Sequence, residues 1–155
     1  MEYRLAELAD LTLLAQMRWA YWQEDGDAPA LMAESAFVDE FVEWLASRLS
    51  KNWFVWCALE HDVIVAHVYI QVVTKLPKPS VVDDAFGYVT NVYTVPSRRG
   101  ESVGAALMDR VTGWAQATDL EFLMLWPSDA STPFWHRQQF ASGGAMQKTI
   151  RPYIN

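Results

Sequence analysis

The stretch "VYTVPSRRGESVGAALM", Val92 to Met108, decides how the chain reads. Its first residues are β-branched and aromatic, the composition of a strand. Pro96 then ends any strand, because it has no N–H to give to a ladder. Arg98, Arg99 and Gly100 follow, then a second glycine, Gly104, and an Ala/Leu/Met run with the makings of a helix. The first N–H groups of a helix lack partners inside it, and the helix dipole adds partial positive charge there. Glycine lets a ligand approach bare backbone, and guanidinium matches phosphate geometry. The stretch is therefore expected to bind an anion, and two phosphates would satisfy the whole arrangement.

Working outward, "FGYVTNVYTV", Phe86 to Val95, forms the strand before this loop. Simple alternation along it sets Gly87, Val89, Asn91, Tyr93 and Val95 on one face. Upstream, "WFVWCALE" and "VIVAHVYIQVV" read as two strands joined by a tight turn at His61-Asp62. "EYRLAEL" alternates apolar and polar residues and reads as a first short strand. Two helices come between. Asp10 is positioned to cap the first, where Leu11, Leu14, Ala15 and Trp22 recur at helical spacing. Val38, Phe41, Val42, Leu45 and Leu49 give the second its apolar face. The polar break "QEDGDAPA", Gln23 to Ala30, separates them.

Downstream of the loop, Val103, Leu107, Val111 and Trp114 share one face of a helix that ends near Thr118. "LEFLMLW" is expected to be a buried strand, "STPFWHRQQF" a short helix entered at Pro133, and "GAMQKTI" a last strand. The order β-α-α-β-β-β-α-β-α-β makes residues 1–155 one mixed α/β domain.

At 155 residues the chain has the length of an ordinary domain, able to bury about two-thirds of its unfolded surface. A net charge of −7 argues against a nucleic-acid or anionic-membrane partner and is compatible with a cationic amine. Eight tryptophans imply a thick aromatic core or an aromatic-walled cavity. The single cysteine, Cys57, cannot form an internal disulfide, and its strand-like setting reads as that of a small buried hydrophobe. Three scattered histidines and that cysteine make no metal-ligand cluster, so no metal is expected. The N-terminus is charged where a signal peptide is apolar, and no apolar run reaches membrane-spanning length. A cytoplasmic location is expected.

The longer stretch "VYTVPSRRGESVGAALMDRVTGWA" closely resembles the pyrophosphate-binding motif of the GNAT superfamily of acyl-CoA-dependent N-acyltransferases. That motif reads Q/R-x-x-G-x-G/A after a strand ending near Val-x-Pro. Arg99 matches its first position, Gly104 its last, and Gly100 the glycine common after the arginine. Ser102 stands where the family has glycine; serine accepts positive φ poorly, so a reshaped loop is expected there. The element order of the whole chain resembles the family's as well.

The resemblance implies a mixed, mostly antiparallel sheet of about six to seven strands flanked by four helices. The fourth and fifth strands splay apart, and the pantetheine of acetyl-CoA lies between them. Its backbone partners are then Tyr93, Thr94 and Val95. The diphosphate falls on the amides of Arg98, Arg99, Gly100, Glu101, Ser102, Val103, Gly104 and Ala105. A homodimer is a family expectation only.

N-acyl transfer needs a free amine, a stabilised oxyanion and a proton for the leaving thiolate. In the family a Tyr often supplies that proton, within N-x-x-A-x-x-x-Y-x-x-x-G-F. The stretch "SDASTPFWHRQQF" sets Ser128 at the Asn, Ser131 at the Ala, Trp135 at the Tyr, Gln139 at the Gly and Phe140 at the Phe. An indole N–H donates a hydrogen bond but does not give up its proton at neutral pH. Trp135 and Ser128 are therefore expected to line the cofactor pocket, with no acid role for Trp135. His136, next on the helix, points about 100° away and reads as a surface residue.

Glu24, Asp25 and Asp27 lie in the break that in the family borders the acceptor site. Asn91 and Tyr93 are placed by the resemblance to touch the acceptor or a catalytic water, so Asn91, Tyr93 and Glu24 are the catalytic candidates. Trp19, Tyr21 and Trp22 suit either a pocket wall or the core, with core favoured for the two tryptophans. His67 reads as a core histidine.

The expected function is transfer of an acetyl or acyl group from acetyl-CoA to a primary amine of a small molecule or peptide, by direct attack in a ternary complex. A second reading is a GNAT-fold module that binds acyl-CoA as a sensor or interaction domain and has lost turnover, which Ser102 and Trp135 together would suit. A third, a nucleotide-binding domain without CoA specificity, rests on the generic phosphate physics of the loop.

Overall fold

The computed structural model describes residues 1–26 and 28–151. Its frame is one sheet in the order β1-β2-β3-β4-β5, formed by β1 Glu2–Leu5, β2 Trp53–Glu60, β3 Val63–Thr74, β4 Ala85–Thr94 and β5 Leu123–Met124. The first four strands pair antiparallel, and β5 pairs parallel with β4. A parallel pair needs a crossover, and α3, Val103–Ala117, provides it. Helices α1, Leu11–Asp25, and α2, Glu34–Ala46, lie between β1 and β2 in the chain; α4, Thr132–Arg137, follows β5.

The sheet carries a core on each face. Leu14 and Leu45 of α1 and α2 pack with Val55, Cys57 and Tyr69 on one side. Leu107, Met108 and Val111 of α3 pack with Val68, Ile70 and Val89 on the other. Alternate residues of β3 therefore feed opposite layers, and both faces are apolar because both are covered. Cys57 is fully buried, and desolvation pushes its thiol up to about 12, so it serves as packing. The β2–β3 turn is the tight one its sequence implies: His61 and Asp62 have φ of 49° and 62°, the left-handed pair that matches strand twist.

Four expectations are corrected. First, Asp10 does not cap α1 with its side chain, because a short 3-10 turn, Leu8–Asp10, precedes the helix. Its carboxylate instead takes two hydrogen bonds from Arg4, at 2.7 and 3.1 Å, and one from the Glu7 N–H.

Second, the "LEFLMLW" strand shrinks to Leu123–Met124, paired only opposite Gly87 and Tyr88. That close crossing is possible because residue 87 is glycine: a Cβ there would come 2.6 Å from Leu123 Cδ2. Beyond Met124 the chain leaves β4, and among the described residues no other strand pairs with that β4 edge.

Third, "GAMQKTI" forms no strand, which leaves five strands among the described residues where six to seven were expected. Met146 and Ile150 are separated by Gln147, Lys148 and Thr149, so no face repeats apolar at period two, and both are exposed.

Fourth, β4 does not alternate simply. His67 pairs with Tyr93 and Tyr69 with Thr90, so Asn91 and Val92 together oppose the single residue Val68. This is a β-bulge, and Asn91, at φ 49°, is its left-handed residue. The extra residue flips the faces. Val89 looks toward α3, whereas Tyr93 joins Tyr69 on the α1/α2 side.

Candidate functional site

The bulge and the open edge meet at the stretch that opened the sequence. Val95's backbone is fully used: its N–H bonds to Val65 O at 2.9 Å and its C=O accepts from Arg98 N–H at 2.9 Å. Val95 N–H is therefore not available to a ligand, and its C=O is already engaged by the following turn. Alternation in an antiparallel ladder turns Tyr93's groups toward β3 as well, and Thr94's toward the open side. Thr94 O accepts there from Arg99 Nε at 2.9 Å. Of the three strand residues named as partners of pantetheine, Thr94 is the one whose backbone faces the opening.

After Pro96–Arg98, a second 3-10 turn, the chain passes through two left-handed residues, Gly100 at φ 80° and Ser102 at φ 60° and ψ 15°. Ser102 adopts the conformation that the usual glycine would take, so the loop keeps its path at the cost of strain. We expect Ser102→Gly to raise stability by about 0.5–1 kcal/mol in urea denaturation; an unchanged midpoint would mean that Ser102 stores no strain.

The amides of Val103, Gly104 and Ala105 follow with no backbone acceptor among the described residues; the first helical bond runs from Ala106 N–H to Ser102 O at 3.0 Å. These three N–H groups open onto a cleft of about 390 Å³ lined also by Thr94, Arg98, Arg99, Phe134, Arg137 and Gln138. Among the described residues nothing crowds the glycine: a Cβ on Gly104 would sit 3.7 Å from Phe134 and 3.8 Å from Thr94 Oγ1.

The two arginines of the motif are already paired. Arg98 bonds Glu60 through Nε at 2.8 Å and lies 3.7 Å from Glu101. Arg99 reaches Glu24 at 2.6 Å and lies over the Tyr93 ring at 5.4 Å. Arg137 lines the same cleft and has no carboxylate partner among the described residues. Sequence reasoning missed it, and missed Phe134, because the motif's tyrosine position falls on Trp135. Trp135 is 7% exposed and packs edge-on against Phe134 and Phe140. Its Nε1–H donates to Ser131 Oγ at 3.2 Å, and Ser128 donates to that same Oγ at 2.9 Å. Trp135 and Ser128 thus belong to the α4 framework and do not line the cleft.

Glu24 joins the two halves of the region. Tyr93 O–H donates to Glu24 Oε1 at 2.6 Å while Arg99 bonds Oε2. The Tyr93 hydrogen bond, then Arg99, hold the Glu24 carboxyl below its usual range. Burial, with the Glu24 bond added, pushes the Tyr93 phenol up to about 12. The pair is therefore ionised carboxylate and neutral phenol at neutral pH.

On the other side of Tyr93, Tyr21 lies 5.5 Å away and borders a second cleft of about 370 Å³. Asn91, Thr90, Tyr69, Asp25, Arg18 and the aromatic rings of α2 and β2 complete it. Trp19 and Trp22 do not line it; they stack on each other at 5.1 Å, and Trp19 meets Phe37 across α1 and α2. Asp27, named from sequence with Glu24 and Asp25, lies outside the described residues.

The bulge is pinned from beneath by His67. The ring is wholly buried and its Nδ1 lies 3.0 Å from Asn91 O, so the neutral ring donates to the carbonyl that the bulge strips from the ladder. Desolvation lowers its pKa to about 4. The unfolded chain then takes up a proton near pH 6.5 that the folded protein refuses until about pH 4. Stability is full above pH 6.5 and falls as pH drops, by about 3 kcal/mol over that window. Urea melts at pH 7, 5.5 and 4.5 check this; His67→Phe should remove that slope, and an unchanged slope would assign it to other groups.

A model of the acetyltransferase (GNAT) family matches residues 12–140, most of the chain. No curated protein matches. Among solved structures, a GCN5-related N-acetyltransferase from Ralstonia eutropha is 29% identical with a TM-score of 0.75, covering 96% of this chain and 97% of that one. A predicted acetyltransferase from Clostridium acetobutylicum, solved with acetyl-CoA, is 24% identical with a TM-score of 0.75, covering 96% and 94%. The matched span runs from α1 through α4 and includes the bulged strand, the phosphate-type loop and both clefts, and the chain belongs to the acetyltransferase (GNAT) family.

Proposed function

We propose that this protein transfers an acetyl group from acetyl-CoA to the primary amine of a small molecule or peptide, by direct attack within a ternary complex. The observation that carries the reading is the row of three partnerless amides, Val103 to Ala105, opening onto a cleft beside the free edge of β4. Such a helix N-terminus favours phosphate, and Arg137 supplies a cation not already neutralised by a carboxylate among the described residues. Arg98 and Arg99, held by Glu60 and Glu24, shape the loop and contribute less net charge. The presence of acetyl-CoA in the Clostridium relative lends further support.

In the reaction the amine nitrogen forms a bond to the thioester carbon, the C–S bond breaks, and the thiolate departs with its electron pair. Thr94 N–H, on the open side of β4, is the group of this chain aimed to polarise the acyl oxygen. Asn91 Oδ1 accepts an N–H of the amine from the second cleft and orients it. Glu24, ionised and partly exposed, draws an ammonium toward the junction and passes its proton to solvent. Tyr93, kept neutral, donates to Glu24 and fixes its position; as a phenol near 12 it is no base at neutral pH. No residue of the α4 framework is assigned as the acid: the attacking nitrogen gives up its second proton to water as the C–S bond breaks, and the thiolate takes a proton from water, leaving the amide and the free thiol of CoA.

The buried, hydrogen-bonded Trp135 also suits the second reading, an acyl-CoA-binding module without turnover. Thiol release from acetyl-CoA in the presence of a panel of primary amines separates the two. The transferase reading expects amine-dependent release together with the mass of the acetylated amine. Tight acetyl-CoA binding with no amine-dependent release would favour the binding module.

A further inference from the structure

The second cleft has three features that acetyl-CoA binding does not use. Its walls include the rings of Phe41, Trp44, Trp53 and Tyr69. Arg18 of α1 also lines it, half-buried, with no carboxylate partner among the described residues and only the Tyr21 ring beneath it at 5.6 Å. Its charge is felt inside: desolvation dominates the raised pKa of the buried Tyr69 phenol, and Arg18 is the positive group that opposes the shift.

Two buried oxygens of lining residues, Tyr69 Oη and Asn91 Oδ1, have no hydrogen-bond partner among the described residues. Tyr69 is only 2% exposed. Buried polar atoms left alone are costly, and native proteins seldom keep them. Here one orphan is a donor beside a lone guanidinium, and the other is an acceptor on the catalytic strand.

We propose that this cleft receives an acceptor that is both an amine and a carboxylate on an apolar body, as in an aromatic or branched-chain α-amino acid. The proposal rests on the acyltransferase reading above. The carboxylate accepts from Arg18 and from Tyr69 O–H, which satisfies the first orphan and the lone cation together. The amine donates to Asn91 Oδ1, two residues before Tyr93, with Asp25 at the rim as a second attraction. The apolar body lies against Phe41, Trp44 and Trp53. A plain cation such as a polyamine fits poorly, since Arg18 would repel it and the Tyr69 hydroxyl would stay unpaired.

Calorimetric titration of the acetyl-CoA-bound protein with phenylalanine, tryptophan and leucine, and with the amide of each, tests this; thiol release is followed in parallel. At least one acid should bind about tenfold or more tightly than its amide. Arg18→Gln should erase that preference, and Tyr69→Phe, which removes only the hydroxyl, should cut it several-fold. Amides that bind as well as their acids, or no binding by any of the three acids, would overturn the proposal. Acetylation of the amides in preference to the acids would overturn it while leaving the transferase reading intact. An Arg18-dependent preference for acids without any thiol release would uphold the ligand and sink the transferase reading.

Discussion

Gly104→Asp is expected to weaken acetyl-CoA binding by at least about a hundredfold while leaving the protein as stable as before, or slightly more so. The two halves of that expectation come from the same position. Gly104 lies in the first turn of α3, with its N–H free and its Cα facing the loop cleft. A Cβ fits there at ordinary van der Waals distance, 3.7 Å from Phe134 and 3.8 Å from Thr94. A carboxylate at a helix N-terminus interacts favourably with the dipole, and replacing glycine in a helix gains up to about 1 kcal/mol. The same carboxylate would stand where the proposed site places phosphate and would repel it. Titration calorimetry with acetyl-CoA, alongside a thermal melt of the free protein, reads both effects. Retained affinity would mean that the diphosphate does not bind at the α3 N-terminus.

Trp135→Ala is expected to cost about 3–5 kcal/mol of stability, lowering the melting temperature by roughly 10–15 °C. The indole is buried between Phe134, Phe140 and the α3 layer, and its Nε1–H is bonded to Ser131. Removing it empties a large volume in the core and takes away one of the two donors to Ser131 Oγ, leaving Ser128 as the other. Trp135→Tyr is correspondingly expected to lose stability without gaining turnover, because the side chain at this position does not line the loop cleft. A rise in turnover with tyrosine would show that residue 135 does reach the reacting atoms.

These two positions also mark how far the sequence could be read. The loop was legible because its determinants are local: Pro96 stops a strand, Gly100 permits left-handed backbone, and the Val103–Trp114 stripe makes a helix. Ser102 was legible as a departure, but the reshaped loop expected from it did not follow, because serine takes the left-handed conformation itself.

What could not be read depends on pairing across the sheet. The bulge at Asn91 arises from the register between β3 and β4, stabilised by His67 some 24 residues earlier, and nothing in "YVTNVYT" alone announces the extra residue. Because the bulge reverses the faces, it moves Tyr93 from a supposed partner of Val89 to a ligand of Glu24. The pairing of Arg99 with Glu24 spans 75 residues and was equally invisible. It alters the chemistry, since a motif arginine expected to face phosphate is held by a carboxylate. The final strand failed for the opposite reason: in "GAMQKTI" three polar residues separate Met146 from Ile150, both are exposed, and so little apolar surface does not hold a strand.

On the proposed reading, the cleft beside β4 and the α3 N-terminus is the acetyl-CoA site. A thermal-melt series with acetyl-CoA, CoA, dephospho-CoA, ATP and NAD tests it most directly. At a ligand concentration of 100 times its dissociation constant, binding adds about 2.7 kcal/mol, a rise of roughly 5–10 °C for a domain of this size. The expected result is that rise with acetyl-CoA and CoA and none with NAD. Absence of a shift with every CoA species would contradict the account, and the transferase function would fall with the site.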